Sequence, residues 1–430
     1  MGKDGIYLRY NVAMLTALGF SSGLPLALTG STLQAWLFSE GVDLGTIGLF
    51  ALAGLPYSLK IIWAPLVDYY VVPILGRRRG WIFLAQSGLT LAIGSLVILA
   101  WAIGFRELSH HIRHWLLTLV ALVTFSIAFI SATQDIAIDA YRADILQPEE
   151  RGAGAATTVL GYRLAMMTSG AFALMLSDHM AWHWVFGILA CVMALCSMAT
   201  IFSREPESPP KLPENLREAV LAPITRYFAR SNAFRIVLFI VFFKLGDVMV
   251  GAMSTPFMLD LGFSRSEVGM VNKVFGLVST IAGSLAGGAI IARIGLNRSL
   301  WIFAFLQALS NFAFVSLAMV GKVYSVMVIA VGLENFTGGM GTSGFVAFLM
   351  SLCDREYSAT QYAFFSSLMA VTRVIASAPT GFIAAKMGWI MYYITAVMGA
   401  IPGLILMALC VPWNGESLSP GISGTKQKAD

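Results

Sequence analysis

Long runs of apolar residues, separated by short polar or charged breaks, recur along the whole chain. A helix needs about 20 mostly apolar residues to cross the hydrocarbon core of a bilayer. The pattern therefore predicts an all-α integral membrane protein with twelve transmembrane helices. The predicted spans, numbered in chain order, are 11–38, 46–69, 81–104, 115–140, 154–176, 182–203, 233–259, 267–291, 299–320, 324–350, 360–384 and 389–411.

One polar break is much longer than the others and divides the spans into two sets of six. We predict an amino-terminal six-helix bundle at 1–203, a connector at 204–232 and a carboxy-terminal six-helix bundle at 233–412. Residues 413–430 form a polar tail. The connector, the tail and both termini are expected to lie on the cytoplasmic side of the membrane.

The composition agrees with lipid as the surrounding solvent. Of 430 residues, 57% are hydrophobic and only 12% are charged, and the mean hydropathy is +0.77. A soluble domain carries far more charge on its surface, so the composition excludes a soluble enzyme. The four cysteines lack the spacing of metal ligands, and no cofactor is predicted.

Most of the 28 lysines and arginines fall in alternate loops, on the side that also holds both termini. Lysine and arginine accumulate in cytoplasmic loops of membrane proteins. Both termini are therefore predicted to be cytoplasmic. The net charge of +5 follows from this topology, and no nucleic-acid partner is predicted.

Two pairs of residues, each 210 positions apart, indicate an internal duplication. Arg163 in span 5 corresponds to Arg373 in span 11, and Asp144 after span 4 corresponds to Asp354 after span 10. Because each half contains six spans, the repeat is parallel and the halves are pseudo-symmetric. This arrangement is typical of major facilitator transporters, which bind substrates and ions near the membrane midplane.

Span 4 departs from the repeat at two aspartates. Asp135 and Asp139 correspond to Phe345 and Leu349 in span 10, so folding of the repeat does not require the carboxylates. Four positions apart, they lie on one helical face. Burial and a neighbouring like charge both favour the protonated form of a carboxyl group. We predict that this pair carries the coupled proton, and a permanent ion pair of Asp139 with Arg142 or Arg163 is the alternative.

Other charges also lie within predicted spans, where each costs at least about 2.5 to 3.5 kcal/mol unless it has a partner or faces water. Glu334 is a candidate for a second proton site. Lys244 has Asp247 three residues further on, so a structural bridge between them is an alternative to ligand binding. The predicted substrate-binding residues are Gln34, Lys60, Gln134, Arg163, Lys244, Asn335 and Arg373.

Polar and aromatic residues in spans 1 and 2 suit a sugar ligand. Thr29, Gln34 and Trp36 lie in span 1, and Tyr57 and Trp63 lie in span 2. Amides and hydroxyls hydrogen-bond sugar hydroxyls, and aromatic rings stack on sugar faces. The alternative is an ordinary belt of interfacial aromatic residues.

Glycine-rich runs in spans 8 and 10 have a packing interpretation. Residues 283–288 and 338–342 contain several glycines, which allow two helix backbones to approach closely in a membrane.

Several motifs resemble those of AmpG-type muropeptide permeases within the major facilitator superfamily. The segments that carry the resemblance are Leu-Gly-Phe-Ser-Ser-Gly-Leu-Pro at 18–25, Gly-Leu-Pro-Tyr-Ser-Leu-Lys at 54–60, Trp-Ala-Pro-Leu-Val-Asp at 63–68, Gly-Arg-Arg-Arg-Gly at 76–80, Ala-Thr-Gln-Asp-Ile-Ala-Ile-Asp-Ala-Tyr-Arg-Ala-Asp at 132–144 and Glu-Asn-Phe-Thr-Gly-Gly-Met-Gly-Thr at 334–342. The motif at 132–144 is the most specific of them.

The resemblance implies a monomeric permease in the lipid bilayer of the bacterial inner membrane that imports anhydromuropeptides from periplasm to cytoplasm together with protons. It also implies a cytoplasmic gate. The gate residues would be Asp68, Arg77, Arg78, Arg79 and Asp144. In this chain residues 69–76 separate Asp68 from Arg77. The general major facilitator signature has a shorter spacing between its aspartate and its arginines.

Three alternatives are compatible with the same residues. A related carrier for another amphiphilic or acyl-CoA-like solute would need the same charges. A membrane sensor would bind the ligand without transporting it. A membrane-embedded enzyme would need a nucleophile or a metal cluster, and neither a metal-ligand spacing nor a Gly-x-Ser-x-Gly elbow in a suitable context is present in the sequence.

Overall fold

A computed structural model describes residues 3–42, 46, 50–104, 109–207, 212–230, 232–377 and 379–410. All regular secondary structure in these residues is helical. The predicted tail at 413–430 lies outside the described residues, as do residues 208–211 and 231 of the connector.

The first half of the chain forms ten described α-helices, from span 1 to the connector. They are α1 (Tyr10–Ala27), α2 (Leu33–Ser39), α3 (Leu55–Leu59), α4 (Ala64–Tyr69), α5 (Arg77–Ile103), α6 (His110–Ile145), α7 (Arg151–Met167), α8 (Ala173–Ser177), α9 (Trp182–Phe202) and α10 (Leu216–Phe228). π-Helical turns at Leu28–Thr32 and Thr168–Phe172 join α1 to α2 and α7 to α8. Short 3₁₀ segments lie at Lys3–Leu8, Phe50–Gly54, Lys60–Ile62 and Pro148–Glu150.

The second half continues with the helices of spans 7 to 12. They are α11 (Ala233–Phe243), α12 (Leu245–Asp260), α13 (Arg265–Val268), α14 (Gly276–Ile294), α15 (Leu296–Val320), α16 (Tyr324–Leu352), α17 (Ser358–Ser377), α18 (Thr380–Gly399) and α19 (Ile401–Cys410). A π-helical segment at Gly269–Phe275 joins α13 to α14.

Nine helical stretches of the described residues are long and apolar enough to cross a membrane. They coincide with predicted spans 1, 3 to 9 and 12. Span 10 is the continuous helix α16 and span 11 begins as α17, but neither is among the nine stretches. Glycines and polar residues lower the hydropathy of α16.

Span 2 is not the single helix that the sequence predicted. Its described part consists of Phe50–Gly54, α3, Lys60–Ile62 and α4. Pro56 and Pro65 stand in the first turns of α3 and α4. Proline lacks the amide hydrogen that a helix interior requires, so each proline begins a new short helix.

Span 7 is also interrupted, and helix α18 contains a sharp turn. Lys244 separates α11 from α12, with φ −102° and ψ 7°. Gly388 turns α18 with φ 73° and ψ 167°, a backbone conformation that favours glycine. The turn lies between the predicted ends of spans 11 and 12. Asp144, predicted to follow span 4, lies inside the last turn of α6.

The chain forms two compact units. Unit 1 contains the described residues of Met1–Leu146, Ala156–Thr225 and Arg355–Ala370, and unit 2 contains those of Gln147–Ala155, Arg226–Asp354 and Val371–Asp430. Unit 1 therefore includes the start of α17. The division into bundles at 204–232 stays a prediction.

Each unit has its own apolar core and repeats the same helix pairing. The core of unit 1 includes Leu24, Leu89 and Phe186, and that of unit 2 includes Phe257 and Phe314. In unit 1, α5 packs along α6 and α9, and in unit 2, α15 packs along α16 and α18. Since α5 and α15 form spans 3 and 9, this pairing is what the 210-residue repeat predicts.

The glycine-rich runs hold α14 and α16 in close contact, as predicted. A Cβ atom on Gly283 would lie 1.9 Å from the backbone oxygen of Phe336, and one on Gly339 would lie 2.2 Å from that of Thr280. No side chain larger than a hydrogen atom fits these positions without movement of a helix.

We expect the substitution Gly283→Ala to lower the free energy of unfolding by about 1 to 3 kcal/mol, because the added methyl group forces α14 away from α16. The control is Gly251→Ala, since a Cβ atom there meets nothing within 4 Å. Thermal unfolding in detergent measures both variants. Equal transition temperatures for the two would contradict the close packing.

Candidate functional site

Asp135 and Asp139 lie on one face of α6, within unit 1. The hydroxyl of Ser22 on α1 donates a hydrogen bond to Asp135 Oδ1 at 2.5 Å. The charges that act on Asp135 come from Lys60, Asp139 and Arg142. The two predicted carboxylates therefore belong to one group of buried and half-buried polar side chains, which we call the α6 cluster: Ser22, Lys60, Asp135, Asp139, Arg142 and Tyr362.

Asp139 is held by two cations. Arg142 donates to Asp139 Oδ1 at 2.8 Å, and Lys60 Nζ lies 3.6 Å from Asp139 Oδ2. Arg142 also donates to the hydroxyl of Tyr362 at 2.6 Å, and its guanidinium lies over the Tyr362 ring. Of the two alternative pairs for Asp139, the one with Arg142 is present.

The α6 cluster contains as many cations as carboxylates. Asp135 and Asp139 carry two negative charges when ionised, and Lys60 and Arg142 carry two positive charges. Uptake of one proton therefore leaves an excess positive charge in a buried setting, where such a charge needs a counter-ion. The arrangement can bind a proton and an anionic group together.

The other predicted residues of unit 1 lie in different settings. Gln134 has no exposed surface and donates to Ser21 Oγ at 2.7 Å, so its amide contributes to the packing of unit 1. Gln34 is exposed on α2, and Arg163 is half-buried on α7. Their roles in substrate binding stay predictions.

One aromatic residue proposed for sugar stacking is a core residue instead. Trp36 is fully buried and packs edge-on against Phe186, with the ring centroids 5.1 Å apart. Its apolar neighbours leave no room for a ligand. Trp63 is half-buried and donates to Thr133 at 3.1 Å.

Lys244 in unit 2 is the centre of a second polar group. Its Nζ lies 3.3 Å from Asp247 Oδ2, 3.4 Å from Gln307 Oε1 and 3.4 Å from the Gly338 carbonyl oxygen. The break between α11 and α12 allows the lysine to leave the regular helix surface. The bridge to Asp247 that the sequence offered as an alternative is present.

Glu334 and Asn335 lie on α16, in the same unit. Asn335 donates to Glu334 Oε2 at 2.9 Å, and the charges that act on Glu334 come from Asp247 and Lys244. Arg373 is exposed on α17. The predicted roles of Glu334 in proton coupling and of Asn335 and Arg373 in binding stay predictions.

Four of the five predicted gate residues form a buried ionic network at the start of α17, within unit 1. Asp68 has no exposed surface and accepts hydrogen bonds from the backbone amide of Thr360 at 2.8 Å and from its hydroxyl at 2.7 Å. A carboxylate at a helix start accepts hydrogen bonds from amides that have no partner within the helix, and the positive end of the helix dipole stabilises its negative charge.

Arg78 links two carboxylates of this network. It lies 2.9 Å from Asp68 Oδ1 and 2.8 Å from Asp144 Oδ2, and it donates to Ser358 Oγ at 2.6 Å. Arg77 lies 3.3 Å from Asp68 Oδ1. The structure therefore brings together four of the five predicted gate residues.

Arg79 lies outside the network. Its guanidinium donates to the carbonyl oxygens of Thr200 and Ile201 at the end of α9. Glu205 accepts hydrogen bonds from the backbone amides of Arg78 and Arg79 at 2.8 and 3.1 Å, so it caps the start of α5. Of the three consecutive arginines, Arg77 and Arg78 therefore share Asp68, whereas Arg79 bonds the end of α9.

Four partners of these groups were missed in the sequence analysis, and they are Ser22, Ser358, Thr360 and Tyr362. One local signal was available, because Ser358 and Gln361 form the spacing of a capping box at the start of α17. That spacing predicts a helix start, but it gives no information on which distant carboxylate the helix meets.

Comparison with known proteins shows which family the chain belongs to. The chain is 45% identical over 407 residues to the anhydromuropeptide permease of Escherichia coli (strain K12). The aligned region covers 94% of this chain and 80% of that protein. It is 34% identical to the putative transporter AmpG 4 of Rickettsia felis, with 94% of this chain and 97% of that protein covered. The family description "Acetyl-coenzyme A transporter 1" matches residues 11–202.

Solved structures of transporters share the fold. A bacterial homologue of the iron transporter ferroportin in the outward-facing state superposes with a TM-score of 0.70 at 12% identity, over 93% of this chain and 98% of that chain. The proton:xylose symporter XylE of the major facilitator superfamily superposes with a TM-score of 0.68 at 12% identity, over 94% and 96%. The fold is therefore the all-helical major facilitator fold.

We expect Arg78→Ala to lower the free energy of unfolding by about 3 kcal/mol or more, because it removes the arginine that pairs with buried Asp144 and one of the two that pair with Asp68. The matched control is Arg355→Ala. The Arg355 side chain forms an exposed ion pair with Glu207 at 3.8 Å, so its loss should change stability by less than about 1 kcal/mol. Unfolding in detergent measures both, and similar losses in the two variants would contradict the role of the buried network.

Proposed function

The chain belongs to the anhydromuropeptide permease family of major facilitator transporters, and on this premise we propose that it imports anhydromuropeptides from the periplasm to the cytoplasm together with protons. The substrate consists of N-acetylglucosaminyl-1,6-anhydro-N-acetylmuramyl peptides. The protein acts as a monomer in the inner membrane, with both termini in the cytoplasm. It works by alternating access, as expected for a transporter of this fold.

The observation that carries the proposal is the charge balance of the α6 cluster. Muropeptides carry carboxylates on the peptide. A proton taken up by Asp135 or Asp139 leaves the cluster with one excess positive charge, which a substrate carboxylate neutralises. Proton uptake and substrate binding are then linked, since each makes the other more favourable.

Lys60 is the residue through which this linkage acts. It lies 3.6 Å from Asp139, whereas Arg142 lies 2.8 Å from the same carboxylate. Protonation of Asp139 weakens the longer contact first, and Lys60 becomes available to the substrate. Arg163, Gln34, Asn335 and Arg373 bind other parts of the sugar peptide.

The network around Asp68 acts as the cytoplasmic gate. It holds the start of α17 through Thr360, Ser358 and Arg78. All these bonds must break together for α17 to separate from α4 and α5, so the gate opens only when another interaction compensates for the lost bonds. Substrate and proton leave on the cytoplasmic side after this opening.

An acyl-CoA carrier is the second candidate function. The family match to residues 11–202 favours it. Competition separates the two, because an excess of unlabelled acetyl-CoA should leave uptake of labelled anhydromuropeptide unchanged if muropeptides are the substrate. A membrane sensor would bind the muropeptide without any flux.

We expect Asp135→Asn to reduce accumulation of labelled anhydromuropeptide in proteoliposomes at least about tenfold at a pH gradient of about one unit. Each coupled proton contributes about tenfold at that gradient, and the amide cannot carry it. The control is Asp178→Asn, because Asp178 is exposed in the loop after α8. Full proton-driven accumulation by Asp135→Asn would remove this carboxylate from the mechanism.

A further inference from the structure

Helix α10 of the connector presents apolar residues on two of its sides. One side packs inward, because Ala219, Pro223 and Tyr227 are buried. On the adjacent side, five large apolar residues each expose 39 to 47% of their surface, and we call this side the outer face of α10. Its members are Leu216, Val220, Leu221, Ile224 and Phe228. An exposed apolar patch of this kind marks a contact surface for an apolar partner.

The outer face is continuous along the helix. Four of its five residues follow one another at intervals of four positions, which places their side chains in one row, and Leu221 lies beside Val220. At 1.5 Å per residue, the 13 residues of α10 extend over about 20 Å. The outer face therefore suits an extended apolar surface rather than a small molecule.

The position of α10 in the chain indicates that this surface is the lipid bilayer. Four residues after Phe228 the chain enters α11, which begins a stretch that is long and apolar enough to cross a membrane. Phe234 in the first turn of α11 is 67% exposed, as expected of a residue that faces lipid. Six positions separate Phe228 from Phe234, so their backbones lie within about 20 Å of each other. The outer face thus begins next to a surface that lipid already covers.

The charges of α10 agree with a lipid partner. Arg217 is exposed and precedes Val220 by three positions, so it lies on the same side as the outer face. An arginine in this position buries its aliphatic stem and keeps its guanidinium beside the lipid phosphates. Glu218 and Thr225 lie on another side of the helix, turned away from the row. Helices that lie in a membrane surface have this distribution of apolar, basic and polar residues.

The remaining contacts of α10 connect it to the start of α17, within unit 1. The hydroxyl of Tyr357 donates a hydrogen bond to Glu218 Oε1 at 3.3 Å, and the side-chain amide of Gln361 donates to the Pro223 carbonyl oxygen at 3.4 Å. Tyr357 and Gln361 enclose residues 358–360, which are bonded to the gate network. A force on α10 therefore reaches the segment that the gate holds.

We propose that α10 lies in the surface of the cytoplasmic leaflet, with its outer face among the lipid acyl chains, and that it holds the start of α17 at this surface. The inference rests on the proposed function, which supplies the side of the membrane and the role of the gate. The lipid surface then acts as a fixed support against which the gate opens and closes.

The first test locates the outer face in the full-length protein, reconstituted in liposomes of phosphatidylethanolamine and phosphatidylglycerol. The fluorescent amino acid dansylalanine replaces Ile224 in one variant and Thr225 in the matched control. Both positions are exposed, and they point about 100° apart around the helix. We expect a doxyl-labelled phospholipid to quench the fluorophore at 224 at least about twofold more than at 225, and aqueous iodide to give the reverse order.

Two results would overturn the inference. Quenching by iodide that is as strong at 224 as at 225 would place the outer face in water. Protection of the fluorophore at 224 from both quenchers would show that protein covers the outer face, as a second copy of the chain would.

A second test concerns the hold on α17. Serine has a helix propensity similar to those of valine and isoleucine, so the double variant Val220→Ser, Ile224→Ser weakens the outer face and preserves the helix. In lipid bilayers, amide hydrogen exchange at 358–361 should become at least about threefold faster in this variant. The control Thr225→Ser should leave the exchange rate unchanged. An unchanged rate in the double variant would overturn the link to α17.

Neither test uses transport. A failed inference therefore leaves the proposed import of anhydromuropeptide intact. A protein that takes up no anhydromuropeptide would contradict the proposed function, while the quenching and exchange results would still decide where α10 lies.

Discussion

A charge inside a lipid bilayer must be neutralised by groups within a few ångströms, because neither lipid nor the apolar core of a helix bundle solvates it. This constraint organises the polar interior of the protein. Asp139 has two cations, Asp68 has two arginines and a helix start, and Lys244 has a carboxylate and two neutral acceptors. Each group is small, and each pairs carboxylates with cations.

The same constraint explains where the helices are irregular. Span 2 carries Lys60 in a short 3₁₀ segment between α3 and α4, and span 7 breaks at Lys244. Both interruptions place a lysine ammonium beside a carboxylate of the same unit. A straight helix would fix the lysine on one face, whereas an irregular segment lets it reach its partner. Lys60 and Lys244 thus lie at irregular parts of their spans, whereas Asp135 and Asp139 lie on the continuous helix α6.

Much of the architecture was predictable because lipid imposes a strong rule on sequence. The apolar runs predicted the helices, the 210-residue repeat predicted equal pairing in both units, and the motifs at 18–25 and 132–144 identified the family that the relatives confirm. The carboxylates of span 4 stood out because their repeat partners are apolar. Such local signals are strong in a membrane span, because a charged residue in lipid carries a large free-energy cost.

The rest depends on contacts between distant parts of the chain. The cap that Glu205 makes on α5 could not be read from the run of arginines, and the sequence alone did not separate Arg79 from Arg77 and Arg78. Thr360 lies far along the chain from Asp68, so its role at the network required the fold. Trp36 was expected near a ligand, yet its ring packs in the core against Phe186. The sequence could not separate the two, because an indole suits an apolar core as well as the face of a sugar.

The central claim is that a carboxyl group of α6 exchanges a proton with water inside the membrane. Infrared difference spectroscopy of the reconstituted protein during a pH titration tests it most directly. The account predicts a stretching band of a protonated carboxyl group that responds to pH and is lost when Asp135 and Asp139 are both replaced by asparagine. A spectrum without such a band, or a band that the double replacement leaves unchanged, would contradict the account.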